Sequence, residues 1–164
     1  MARGNQIIVS SGMSPKGHYE TAIISGTPKP GMLLELVPQT ALATGQTVGL
    51  NQYRAASRTT GSKGPIIILD VDDLQGKGPT DAYVSGTPGR VYFPAAGEEF
   101  NLLLGDVAGT ADVVNVGDLF GVSNAGKLIA NSSYTATPFQ ALEPVSTALT
   151  ADTLIYVKYL GDQA

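Results

Sequence analysis

His18 is the single histidine in 164 residues, and with no cysteine in the chain it is the one side chain whose ordinary pKa suits proton transfer near neutrality. A catalytic triad needs such a base gripped between an orienting acid and a nucleophile. His18 instead lies between Gly17 and Tyr19 in a Gly- and Ser-rich stretch, and no Gly-x-Ser-x-Gly elbow occurs anywhere. It reads as an exposed or interfacial residue. Asp70, Asp72 and Asp73 invite comparison with a calcium loop. Counted from Asp70, however, the fifth position is Leu74, the sixth is Gln75 where Gly is needed, and the twelfth is Asp81 where a bidentate Glu belongs. Acids that end a buried strand and hydrogen-bond the next turn explain the same residues. Glu98 and Glu99 are adjacent, so on a strand they point to opposite faces and cannot form an acid/base couple. Gly121-Val122-Ser123-Asn124-Ala125-Gly126-Lys127 has the Gly and Lys of a phosphate loop. Leu128 follows where Ser or Thr should hold magnesium, and the continuation reads as strand, so a hairpin turn is expected there. Asn131-Ser132-Ser133 fits a glycosylation sequon but has no export signal ahead of it. The sequence therefore predicts no catalytic, cofactor or metal site and no enzyme activity.

Composition points the same way. The absence of cysteine excludes a disulfide scaffold, thiolate chemistry and Cys-based metal sites, and fits assembly in a reducing compartment. A net charge of −4 and the lack of any basic stripe give no reason to expect nucleic acid; Tyr53-Arg54 is one isolated aromatic-basic pair. No apolar run approaches the roughly 18–20 residues of a membrane helix, so a membrane partner is not expected.

The elements that would position these residues are short strands. With 20 Gly and 10 Pro the chain is too often interrupted for long helices. Apolar runs rich in β-branched and aromatic residues recur between turn signals: Ala22-Ile23-Ile24, Met32 to Val37, Ile66 to Leu69, Val91-Tyr92-Phe93, Phe100 to Leu104, Leu119 to Val122, Leu128-Ile129 and Leu154 to Leu160. Phe100, Leu102 and Leu104 set one strongly buried face, and the final run is apolar on both faces, as suits a central or covered strand. Asp81-Ala82-Tyr83-Val84 is the best helical candidate, a single turn at most. Residues 39–62 read as a long loop or marginal strand. Ser25-Gly26-Thr27-Pro28 recurs as Ser85-Gly86-Thr87-Pro88, which we attribute to shared turn chemistry rather than to a repeat.

The signals that remain concern contact. Residues 1–20 form an arm whose short apolar unit, Ile7-Ile8-Val9, cannot offset its own ordering entropy, so the arm is either mobile or ordered against something else. Within residues 1–31, Arg3, Lys16 and Lys29 outnumber Glu20. The arm, the 39–62 loop and the last strand together nominate Arg3, Ile7, Val9, Met13, His18, Arg54, Arg58, Tyr156 and Tyr159 for a protein interface. The expected layout is an arm over 1–20 and a single all-β domain over 21–164.

The ordered series Ile68-Leu69-Asp70-Val71-Asp72-Asp73-Leu74-Gln75-Gly76-Lys77-Gly78, Thr80-Asp81-Ala82-Tyr83, Gly97-Glu98-Glu99-Phe100-Asn101-Leu102-Leu103, Val116-Gly117-Asp118 and Gly126-Lys127-Leu128 resembles the head decoration, or capsid cement, proteins of tailed bacteriophages. The ending from Ala141 to Leu160 is similar to that family's last two strands. The resemblance implies a small β-barrel or β-tulip-like domain with an extended N-terminal arm. It implies a structural virion protein, made in the host cytoplasm, that binds the outer surface of the mature capsid and bridges neighbouring major capsid protein subunits as a homotrimer. The family brings no catalytic residues and no cofactor. A minor tail, fibre or other virion surface protein is the alternative, and a small carbohydrate-binding barrel a weaker one.

Overall fold

Of the ten strands among the described residues, eight arise on the apolar runs named above, one on Phe139-Gln140-Ala141, and one inside the stretch read as a long loop or marginal strand. The computed structural model describes residues 7–9, 17–37, 53–59, 62, 64–72, 76, 78–105, 114–130, 138–145 and 153–161. Strands β1 (His18–Ser25), β2 (Leu33–Val37), β3 (Tyr53–Ser57), β4 (Ile67–Leu69) and β5 (Pro88–Phe93) close a first barrel in the order β1-β3-β2-β4-β5. Strands β6 (Glu99–Leu104), β7 (Leu119–Val122), β8 (Leu128–Ala130), β9 (Phe139–Ala141) and β10 (Thr153–Tyr159) close a second in the order β10-β6-β8-β7-β9. The all-β barrel expectation holds, with two barrels in place of one.

The two barrels share one topology. Numbered within each barrel, the cyclic order is first, third, second, fourth, fifth in both. In both, the first and third strands pair in parallel, β1 with β3 and β6 with β8, and every other pair is antiparallel. Closure leaves few open strand edges, which protects short strands from edge-to-edge association.

Alternation along each strand divides the core. Ala22, Ile24, Leu34, Ala55, Ile67, Leu69 and Val91 fill the first barrel, with Tyr83 packed among them. The residues between them point outward yet remain buried: Leu33, Ile68 and Tyr92 join Phe100, Leu102, Leu104, Phe120, Leu128, Phe139, Ile155 and Val157 in one continuous cluster. Strands β2, β4 and β5 are thus covered on both sides, which accounts for the unbroken apolar run Ile66 to Leu69. Backbone bonds cross the same seam, from Leu33 N to Gly126 O at 2.6 Å and from Leu103 N to Gly31 O at 2.9 Å.

Several local expectations change. β3 falls inside residues 39–62, read as a long loop or a marginal strand, and is not marginal: it lies centrally, paired with both β1 and β2. β1 begins at His18, ahead of the expected boundary at 21. Asp81 to Val84 form no helical turn; Tyr83 is 1% exposed and its hydroxyl donates to Asp70 O. The turn at Ser123 to Gly126 does join a hairpin, β7 to β8, as expected. The two Ser-Gly-Thr-Pro tetrads prove to be neighbours within the first barrel: Gly26 N donates to Ser85 Oγ, and Gly86 N donates to Ile24 O. They are therefore not equivalent positions in the two barrels.

Candidate interaction surface

Ile7 to Val9 order against the chain itself. Ile8 forms an antiparallel bridge with Phe100, Val9 N donates to Glu99 O at 2.9 Å and Asn101 N donates to Ile7 O at 2.7 Å. Ile7 is fully buried in the larger cluster and Val9 is half-buried. Two further interface candidates also face inward. Tyr159 is buried against Phe139, with ring centroids 5.3 Å apart. Arg58, nominated for the interface as a charge in the 39–62 stretch, is 7% exposed and donates to the carbonyls of Ser62, Gly64 and Pro65 at 2.8, 2.8 and 3.0 Å. It ties down its own connection rather than meeting solvent. Arg3, Met13 and the side chain of Arg54 lie outside the described residues.

Tyr156 is half-buried on β10 and donates its hydroxyl to Glu99 Oε2. Burial first, and then this bond to the carboxylate, push the Tyr156 hydroxyl up to about 12. Glu98 turns the other way. Its Oε1 accepts the Tyr92 hydroxyl at 2.8 Å and Gly17 N at 3.1 Å, and its Oε2 accepts Ala95 N at 2.8 Å. The two adjacent acids serve opposite faces, as alternation requires.

One group of accessible polar and aromatic side chains lies on the leading half of β1 and its partner β5. His18 is exposed, stacked on Phe93 at 4.9 Å between centroids, with its Nε2 3.7 Å from Glu20 Oε1. Tyr19 is 45% exposed and lies edge-on to the buried Tyr92. The Arg90 guanidinium sits 3.9 Å from the Tyr19 ring centroid while its Nε is 3.6 Å from Asp70 Oδ2. Burial raises the Tyr19 hydroxyl, Asp70 adds to the rise and Arg90 opposes it. The register places Tyr19 opposite Tyr92 and Thr21 opposite Arg90, so sequence-distant residues form one ridge. The sequence named His18 but missed Tyr19 and Arg90, because only the β1–β5 pairing brings them together.

A second exposed site is apolar. Val116 and Leu119, 63% and 46% exposed, flank the Gly117 turn that enters β7. Gly117 has φ +98°, and Asp118 Oδ2 accepts Asn115 N at 2.7 Å to fix that turn. Among the described residues no three His, Asp or Glu side chains group as metal ligands. The arrangement offers contact: cation over aromatic, a stacked imidazole and two bare aliphatic side chains on a rigid corner.

No family model matches the chain, and no curated protein matches it in sequence. Its fold is similar to that of the N base of the head fiber gp8.5 in bacteriophage phi29, a crystal structure, with a TM-score of 0.53 and 10% identity over 87% of this chain and 93% of that one. At that identity the likeness is one of fold.

Proposed function

We propose that this chain is a virion surface protein of a tailed bacteriophage, a base module of a head projection that acts by contact alone. One observation carries the reading: the whole two-barrel body, rather than a single barrel of it, corresponds to nearly all of a head fiber base. The order of the turn and strand motifs points to the same class of particle. A base module needs a rigid body with exposed contact groups, and the β1–β5 ridge and the Val116–Leu119 corner supply them. In this reading the partners are the major capsid protein and further copies of the chain. No reaction is assigned to it.

The capsid-bridging role is the second reading, favoured by the motif series through Gly97-Glu98-Glu99-Phe100. The two differ in what the head loses with the protein. Particles made with and without the chain should be imaged by cryo-electron microscopy and challenged by heat and low ionic strength. The base reading expects lost head projections and unchanged head stability. Heads that keep their outline but rupture sooner would replace it with the bridging role, and density confined to the tail would end both.

A further inference from the structure

We propose that the β6 edge holding Ile7–Val9 is a strand-exchange site, which a second copy of this chain fills with its own Ile7–Val9 when copies are held close together. The second barrel closes through β10-β6-β8-β7-β9 without those three residues. β8 covers only the end of β6, at Leu104 opposite Leu128, so the beginning of that edge is left for an added strand. Ile7–Val9 occupies it as a docked piece, held by two backbone bonds and by the buried side chain of Ile7, whose Cδ1 lies near Gly31.

The two anchors of this segment are adjacent. Val9 N bonds Glu99 O, and Gly17 N bonds the side chain of Glu98. Joining neighbouring anchors requires little chain, whereas the sequence between Val9 and Gly17, Ser10 to Lys16, can extend to more than about 20 Å. That length lets the strand reach a slot on another copy. Every contact made in the donor's own slot is reproduced in the neighbour's, so the two arrangements differ in linker entropy and not in contacts. Within one chain the effective concentration of the segment is on the order of millimolar. Dilute chains therefore keep their own strand, and exchange appears as local concentration rises. The inference does not depend on the virion reading, since it concerns two copies of this chain in solution.

The chain's lack of cysteine makes the test clean. Val9 and Glu99 face each other in the register set by Ile8 and Phe100, within the separation a disulfide spans. The full-length single variants V9C and E99C are mixed at increasing protein concentration, oxidised slowly and resolved without reductant. The double variant V9C/E99C reports whether the slot is intact, and V9C mixed with S85C, at an exposed turn, measures random collision. The expected result is a shift from monomer to a V9C–E99C dimer that grows with concentration and exceeds the collision control. A double variant linked only within one chain, with no mixed dimer above that control, overturns the proposal. A double variant that does not link at all overturns the slot itself.

Discussion

The Tyr92 hydroxyl donates to the buried Glu98 carboxylate at 2.8 Å, beside the seam where the first barrel's outer side meets the second. The same carboxylate receives Gly17 N and Ala95 N, so it fixes the start of β1, the side chain of β5 and the turn into β6 together. A buried acceptor with three donors is expensive to delete, because each donor is left without its bond. Glu98→Ala should lower unfolding free energy by about 3–5 kcal/mol, since each donor left unsatisfied costs about 1–3 kcal/mol where it stays buried. Tyr92→Phe, which removes one donor and keeps the ring between Tyr19 and Phe100, should cost about 1 kcal/mol. Urea titration with an unchanged slope measures both, and equal losses for the two variants would show that Glu98 is no hub.

Arg58 makes a comparable claim on the connection after β3. Its guanidinium spans three carbonyls, a reach that the single ammonium of lysine does not reproduce. Arg58→Ala should cost about 2–4 kcal/mol, and Arg58→Lys should recover only part of it. Calorimetry on the three proteins tests this. Wild-type stability in the alanine variant would show that these carbonyl bonds do not hold the connection.

The elements that could be read from the sequence are those whose own residues state their burial. Phe100 to Leu104, Leu154 to Tyr159 and the Gly121 to Lys127 hairpin are of this kind, each with apolar alternation or a turn signal. β3 was legible only as a marginal strand because Tyr53-Arg54-Ala55-Ala56-Ser57 carries little apolar surface; Ala55 is buried by its neighbours rather than by its own size. The shared topology of the two barrels was hidden because equivalent strands lie at no fixed interval. β1 and β6 begin at His18 and Glu99, whereas β5 and β10 begin at Pro88 and Thr153, so no period exists to detect. Arg58 looked like a loop charge because its partners are backbone carbonyls, which leave no mark in side-chain identity.

Two glycines with similar backbone angles should respond differently to alanine. Gly126 has φ +69° and Gly76 has φ +67°, so both substitutions incur left-handed strain of about 1 kcal/mol. A Cβ on Gly76 would meet nothing within 4 Å, whereas one on Gly126 would fall 2.3 Å from Leu33 O and 3.1 Å from Arg58 N. That clash opens the seam where Leu33 N bonds Gly126 O. Gly126→Ala should therefore cost at least about 2 kcal/mol more than Gly76→Ala in chemical denaturation. Matched values would mean the β7–β8 hairpin does not press on β2.

Alkaline pH should destabilise the fold through its tyrosines. Burial, then the nearby Asp72, push the Tyr83 hydroxyl up to about 12, and burial with the Glu99 bond does the same for Tyr156. Tyr92, buried and bonded to Glu98, is raised in the same direction. The unfolded chain loses these protons near pH 10, so between that pH and the folded values the native state binds more protons than the unfolded one. The phenols' contribution to stability is then constant below about pH 10 and falls as pH rises beyond it. Tyr83→Phe removes one titrating hydroxyl together with its bond to Asp70 O, so it should lower stability near neutrality while flattening the alkaline decline. Urea midpoints from about pH 8 to about pH 11.5 measure the slope. A wild-type midpoint that does not fall above pH 10, or a Tyr83→Phe decline as steep as the wild type's, would rule out the buried phenols as its source.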